Sequence, residues 1–275
     1  DRFIIRDRDR PARGVAFTTL SWKNGICTAC GTAVPDIMYL KHFNLERAPF
    51  DQLPDPEFLF LTEQHTEALA RMRFALAIND SFAIITGEVG SGKTTLLRKL
   101  LSDIDENCIT AFITHTKLSA TELLQLILVE FGIRPFSMGK IELITELRAF
   151  IERMQAQGSR VVIVVDEAQN LGAEVLEELR LLTCLDDAEQ KALNIVLLGQ
   201  PQLSRIIHSP ELDQLRQRCR LQFHLKGLSR QETGDYIRHR LRIARGEEAD
   251  LFDESAVSTV YWYTRGIPRL INTLC

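Results

Sequence analysis

The stretch Phe82-Ala-Ile-Ile-Thr-Gly87-Glu-Val-Gly-Ser-Gly-Lys-Thr-Thr95 decides the fold. An apolar run, Phe82–Thr86, enters a glycine-rich turn, and a helical pattern, Thr94–Leu101, follows at once. Gly87 to Thr94 fits G-x-x-x-x-G-K-[ST] in the strand-then-helix setting that the pattern requires. Gly87, Gly90 and Gly92 let the backbone turn its N–H groups inward around an anion, and the next helix aims its positive dipole end at the same point. The loop Gly87-Glu88-Val89-Gly90-Ser91-Gly92, closed by Lys93, Thr94 and Thr95, therefore reads as a phosphate cradle. Lys93 is placed to reach the β- and γ-phosphates, and Thr94 to give a hydroxyl to Mg2+.

Outward from this loop, strand-like and helix-like segments alternate, which is the pattern of a parallel sheet covered by helices on both faces. The other candidate strands are Ile109–Thr114, Val161–Val165, Leu193–Leu198 and Leu221–His224. Between them, a helix over Ser119–Phe131 opens with the capping box Ser119/Glu122 and stops at Gly132; another spans Ile141–Met154.

Val161–Val165 is a buried strand that ends in Asp166-Glu167, at the edge where open parallel sheets bind ligands. Asp166 is expected to hold Mg2+ and Glu167 to orient and polarise an attacking water. The fourth strand ends in Gly199-Gln200-Pro201, which puts Gln200 near the same edge, either as a phosphate or water contact or as a plain turn residue. Arg216, Arg218 and Arg220 crowd the approach to the fifth strand. Arginines from a neighbouring subunit often meet transition-state charge on a transferring phosphoryl group; Arg218 is the first choice for that role and Arg216 the second. In Gly266-Ile-Pro-Arg269, Pro268 can start a helix whose first turn carries Arg269.

The rest of the chain sets bounds. It has 275 residues, 45% hydrophobic and 25% charged, with net charge −4, an ordinary globular profile that excludes disordered, collagen-like and disulfide-framework classes. Six cysteines, at 27, 30, 108, 184, 219 and 275, lie mostly in apolar or helical stretches and point to a reducing, cytoplasmic setting. Cys27-Thr-Ala-Cys30 lacks the second pair that a zinc site of this kind needs, so two free thiols are the plainer reading. Apolar runs are too short for a membrane span, and Phe3-Ile-Ile5 runs straight into Arg6-Asp-Arg-Asp-Arg10 with no apolar h-region, so no secretory signal is expected. Residues 1–37 read as an extension, 38–227 as an α/β core, and 228–275 as a small helical domain that opens with a second capping box, Ser229/Glu232, and is cut short inside Leu270–Cys275.

The strings Phe43–Phe50, Leu53–Phe58, Gly87–Thr95, Asp166-Glu-Ala-Gln-Asn170, Leu198-Gly-Gln-Pro201, Leu215-Arg-Gln-Arg218 and Gly266-Ile-Pro-Arg269 together resemble the AAA+ ATPases of the group that includes general secretion pathway protein A, pilus biogenesis ATPases and exosortase-associated ATPases. The resemblance covers about residues 38–275. It implies a P-loop, three-layer αβα core with strand order 5-1-4-3-2, a helical lid, ATP and Mg2+ between them, and sites completed between subunits of a homo-oligomeric ring. Lys93 and Thr94 then belong to Walker A, Asp166 and Glu167 to Walker B, Gln200 to sensor 1, Arg218 to the arginine finger and Arg269 to sensor 2. Gln200 departs from the Asn or Thr commonest at sensor 1.

Three kinds of work compete. The resemblance favours an accessory motor that acts with protein partners in assembling an envelope machine for secretion, pili or exopolysaccharide, associated with the inner membrane through a partner or a further segment. A second reading is a regulator of transposition that assembles on duplex DNA, for which Arg238, Arg240, Arg242 and Arg245 supply a basic stretch. The third, a switch that binds ATP without hydrolysing it, has no need of Glu167.

Overall fold

Alternating burial builds the sheet. In the strand Arg160–Val165, Val161, Ile163 and Val165 turn to one face and Val162 and Val164 to the other, and all five are buried. A strand covered on both faces needs no polar side, which is why the sequence here is an unbroken run of β-branched residues.

The computed structural model describes residues 22–23, 26–27, 36–52, 55–77, 82–103, 108–183, 193–245 and 251–275. Contacts divide the chain into two units, Asp1–Ala48 and Pro49–Cys275. In the first, β1 (Trp22–Lys23) pairs antiparallel with β2 (Ile26–Cys27), and α1 (Asp36–His42) follows. The side chain of Cys27 and all of Cys30 lie outside the described residues, so the question of a metal there stays with the sequence.

The second unit holds the helix α2 (Glu63–Ala77), β3 (Phe82–Gly87), α3 (Lys93–Asp103), β4 (Cys108–Ile113), α4 (Ala120–Glu130), α5 (Lys140–Ala156), β5 (Arg160–Val165), α6 (Ala173–Leu182), β6 (Leu193–Gly199), α7 (Pro201–Ile207), α8 (Asp213–Arg218) and β7 (Leu221–Leu225). The five strands of β3 to β7 form one parallel sheet in the order β4-β5-β6-β3-β7, which is 5-1-4-3-2 read from the other edge. One face packs Phe82, Ile84, Ile163 and Ile195 against α4, α5 and α6; the other packs Ile85, Val164 and Leu198 against Leu69 and Met72 of α2 and Leu97 of α3. These are the three αβα layers.

Local signals set the helix ends. Ser119 accepts from the Glu122 N–H at 3.3 Å, while Glu122 Oε2 accepts from the Ser119 N–H at 2.8 Å, and the chain leaves α4 through Gly132 at φ 79°. Ser229 and Glu232 repeat the box before α9 (Arg230–Arg245), which is followed by α10 (Glu254–Thr264) and α11 (Pro268–Leu274), the last opened by a proline at its start.

Pro49–Gln52 forms a strap tied to these last helices. The Asp51 carbonyl accepts from Arg240 Nη2 at 3.2 Å and Asn272 Nδ2 at 3.3 Å, Arg240 Nε donates to the Pro49 carbonyl, and Gln52 Nε2 donates to Thr273 Oγ1 at 3.0 Å. Arg240 is buried, 6% exposed, with its guanidinium over the Phe58 ring at 4.5 Å. This corrects one expectation: Arg240 faces inward and is no part of a basic surface, and Arg238 is paired with Asp235 at 2.6 Å. Positions two apart on a helix are rotated by about 200°, so Arg240 cannot share a face with Arg238 and Arg242.

Candidate active site

The sheet order brings the chemistry together. β6 lies between β3 and β5, so the C-terminal ends of three adjacent strands deliver the glycine loop, Gln200 and the two acids to one edge. The register levels Thr86 with Gly199 and Val165 with Leu197.

The loop is shaped by what its glycines exclude. Gly90 and Gly92 have φ of 81° and 97°, a region costly for residues with a Cβ. A Cβ on Gly90 would lie 2.3 Å from Arg269 Cβ, and the Arg269 N–H donates to the Gly90 carbonyl at 3.3 Å. α11 is thus seated against the loop, and Arg269 is brought to the cradle.

Lys93 Nζ donates to the carbonyls of Gly87 at 2.8 Å and Glu88 at 2.9 Å. An ammonium has three donors, so one proton remains to offer an anion. Burial pulls the Lys93 pKa below its ordinary value, and the nearby Glu167, Asp166 and Glu88 carboxylates oppose that pull. Ser91 Oγ is buried in the loop without a hydrogen-bond partner among the described residues, a hydroxyl suited to the same anion.

Thr94 Oγ1 donates to Asp166 Oδ2 at 2.8 Å, while Asp166 Oδ1 accepts from the Glu167 N–H at 2.8 Å. Glu167 sits at φ 53° and ψ 36°, left-handed for a residue that is not glycine, a conformation held only where surroundings fix it. Its carbonyl accepts from Thr116 Oγ1 at 3.3 Å, and Asn170 Nδ2 donates to that same Thr116 oxygen at 3.2 Å. Its carboxylate Oε2 accepts from Gln169 Nε2 at 2.6 Å and from Gln200 Nε2 at 3.2 Å. The arrangement is a polarised cradle for a polyphosphate with a fixed carboxylate beside it. A family model described as an AAA domain matches residues 77–207. Residues 77–207 form an AAA domain.

Relatives agree with that assignment. The chain is 40% identical over 239 residues to general secretion pathway protein A of Aeromonas hydrophila, covering 86% of this chain and 44% of that protein. It is 33% identical over 148 residues to the ATP-dependent target DNA activator B of Escherichia phage Mu, covering 54% of this chain and 44% of the phage protein. The chain thus spans under half the length of each. Among solved structures, the Aeropyrum pernix ORC2 protein in its ADPNP–ADP complexes matches with TM-score 0.62 at 19% identity, over 83% of this chain and 65% of that one, a likeness of fold.

Arg218 stands apart from the cradle: its Nη1 donates to Thr183 Oγ1 at the end of α6, at 2.8 Å. Arg216 pairs with Asp213, and Arg220 is exposed. Sequence reasoning missed Gln169, Thr116 and His65. A Cβ on Gly92 would lie 3.8 Å from His65 Nε2, so this buried imidazole underlies the loop. Its Nδ1 accepts from the Thr62 backbone N–H at 3.3 Å, which puts the proton of the neutral ring on Nε2. Burial lowers the His65 pKa below 6.5, with the Glu232 charge acting the other way.

Proposed function

We propose that this chain hydrolyses ATP with Mg2+ and water, as a homo-oligomeric ring in the cytoplasm, and that the work drives assembly of an envelope machine of the secretion, pilus or exopolysaccharide kind. The observation that carries the chemistry is the contact of Thr94 Oγ1 with Asp166 Oδ2 beside a Glu167 fixed in a left-handed turn. Two hard oxygen donors in contact fit Mg2+, which keeps most of its other positions for water and phosphate oxygens. When bound, the ion would neutralise charge developing on the β- and γ-oxygens.

The chain's own groups do the rest. Loop N–H groups, Ser91 Oγ and the remaining Lys93 proton bind phosphate oxygens. Glu167 orients water and takes its proton, Gln200 reports the phosphate to that carboxylate, and Arg269 answers from the lid side. Arg218, held away from its own cradle, is offered to a neighbouring copy. Identity of 40% to a general secretion pathway protein, over 86% of the chain, supports the envelope reading. The target DNA activator, matched over 54%, supports a second reading in which the ring forms on duplex DNA. Among the described residues no helix is long and apolar enough to cross a membrane, so inner-membrane association would come through a partner or another segment.

The test is steady-state ATP turnover with Glu167→Gln and Lys93→Ala. Glu167→Gln is expected to lower kcat about 100-fold or more while ADPNP still binds and oligomers accumulate; Lys93→Ala is expected to lose nucleotide binding. A Glu167→Gln variant that turns over at the wild-type rate would remove Glu167 as the base.

A further inference from the structure

Gln169 lies two positions beyond Glu167, on the short helix Ala168–Asn170, and its side chain bridges the segments that follow β5 and β6. Its Oε1 accepts from the backbone N–H of Gln200 at 3.0 Å, and its Nε2 donates to Glu167 Oε2 at 2.6 Å. The amide cannot be turned round. A backbone N–H only donates, so the atom facing Gln200 N must be the oxygen, and the NH2 must then face the carboxylate. Gly199 leaves the room for this: a Cβ there would lie 2.9 Å from Gln169 Oε1.

Resting on the hydrolytic reading above, we propose that Gln169 is a positioning residue that fixes the carboxylate of Glu167 against the end of β6, so that one oxygen is occupied and the other is left to take the proton of water. Glu167 Oε2 accepts two amide donors, from Gln169 and Gln200. The two donors differ in kind. Gln200 can leave Glu167 when its amide engages phosphate, because nothing else holds its side chain in the described contacts, whereas Gln169 is anchored at its far end by the main chain of β6's terminus. When Gln200 turns to the nucleotide, Gln169 is the donor that keeps Glu167 in place. A loosened base is misplaced relative to water without any change in phosphate contacts, so the loss belongs in kcat and not in nucleotide affinity.

The experiment compares wild type, Gln169→Leu and Gln169→Glu in kcat, KM, Kd for ADPNP and thermal melting. Gln169→Leu keeps the volume and removes both hydrogen bonds; kcat is expected to fall on the order of 10- to 100-fold with Kd unchanged. Gln169→Glu still accepts from Gln200 N–H and carries the test if the leucine variant does not fold. Its second oxygen faces Glu167, and as a carboxylate it repels; once protonated it donates again. Its kcat relative to wild type is therefore expected to be low near about pH 8 and to recover towards about pH 6, a signature that a merely structural role would not give. Retention of kcat within about twofold by the variant that folds, a loss confined to Kd, or a flat ratio across pH would overturn the positioning role. Wild-type enzyme without turnover that Glu167→Gln removes would instead sink the hydrolytic reading, and this inference with it.

Discussion

His65 shows how a single buried group links the cradle to solution conditions. Burial depresses its folded-state pKa below 6.5, and His239 is depressed likewise by burial and then by Arg242 and Arg240. As pH falls through the ordinary imidazole value the unfolded chain takes up protons first, so the stability these two groups contribute is present above about pH 6.5 and is lost on descending towards their folded values. The melting temperature is expected to drop between about pH 7.5 and about pH 5.5, and His65→Gln should reduce that slope; equal slopes in scanning fluorimetry would rule His65 out as a contributor. Lys93, Thr94, Asp166 and Glu167 were legible in the sequence because each lies inside a short pattern that carries its own geometry. Gln169 was not, because its meaning depends on Gln200, 31 positions away and reached only through the pairing of β5 with β6.

Among elements, the lid helices owe their seat to one buried cation. Arg240 holds the carbonyls of Pro49 and Asp51, donates to Tyr236 Oη at 2.9 Å, and lies over Phe58. Removing it takes the guanidinium donor from the buried Pro49 carbonyl and ends a cation–π contact, so Arg240→Ala is expected to destabilise the chain by about 2–4 kcal/mol. Arg240→Lys should recover only part of this, since one ammonium cannot reproduce the planar fork; a thermal denaturation loss under about 0.5 kcal/mol for the alanine variant would contradict this role. The strands and capped helices were readable because apolar runs and Ser-x-x-Glu boxes act locally. The inward turn of Arg240 was not, since what a helix face meets depends on the strap that packs there, and composition reports charge but not direction.

For the whole molecule, the remaining question is which macromolecule turnover answers to. With Arg240 inward and Arg238 paired, the lid surface is less basic than its sequence, and the chain carries net charge −4. ATP turnover is therefore expected to be indifferent to duplex DNA, in keeping with the envelope reading. A stimulation at low salt that vanishes at high salt would instead favour assembly on DNA, because phosphate contacts release counterions. The alternation of Val161 to Val165 between two cores has a further consequence for how such a chain can vary over time. Exchanging one aliphatic residue for another there changes packing by small steps, but inserting or deleting a single residue inverts the parity of the strand, exchanges its two cores and swings Asp166 away from Thr94. In this segment lineage drift is free in letters and closed in length.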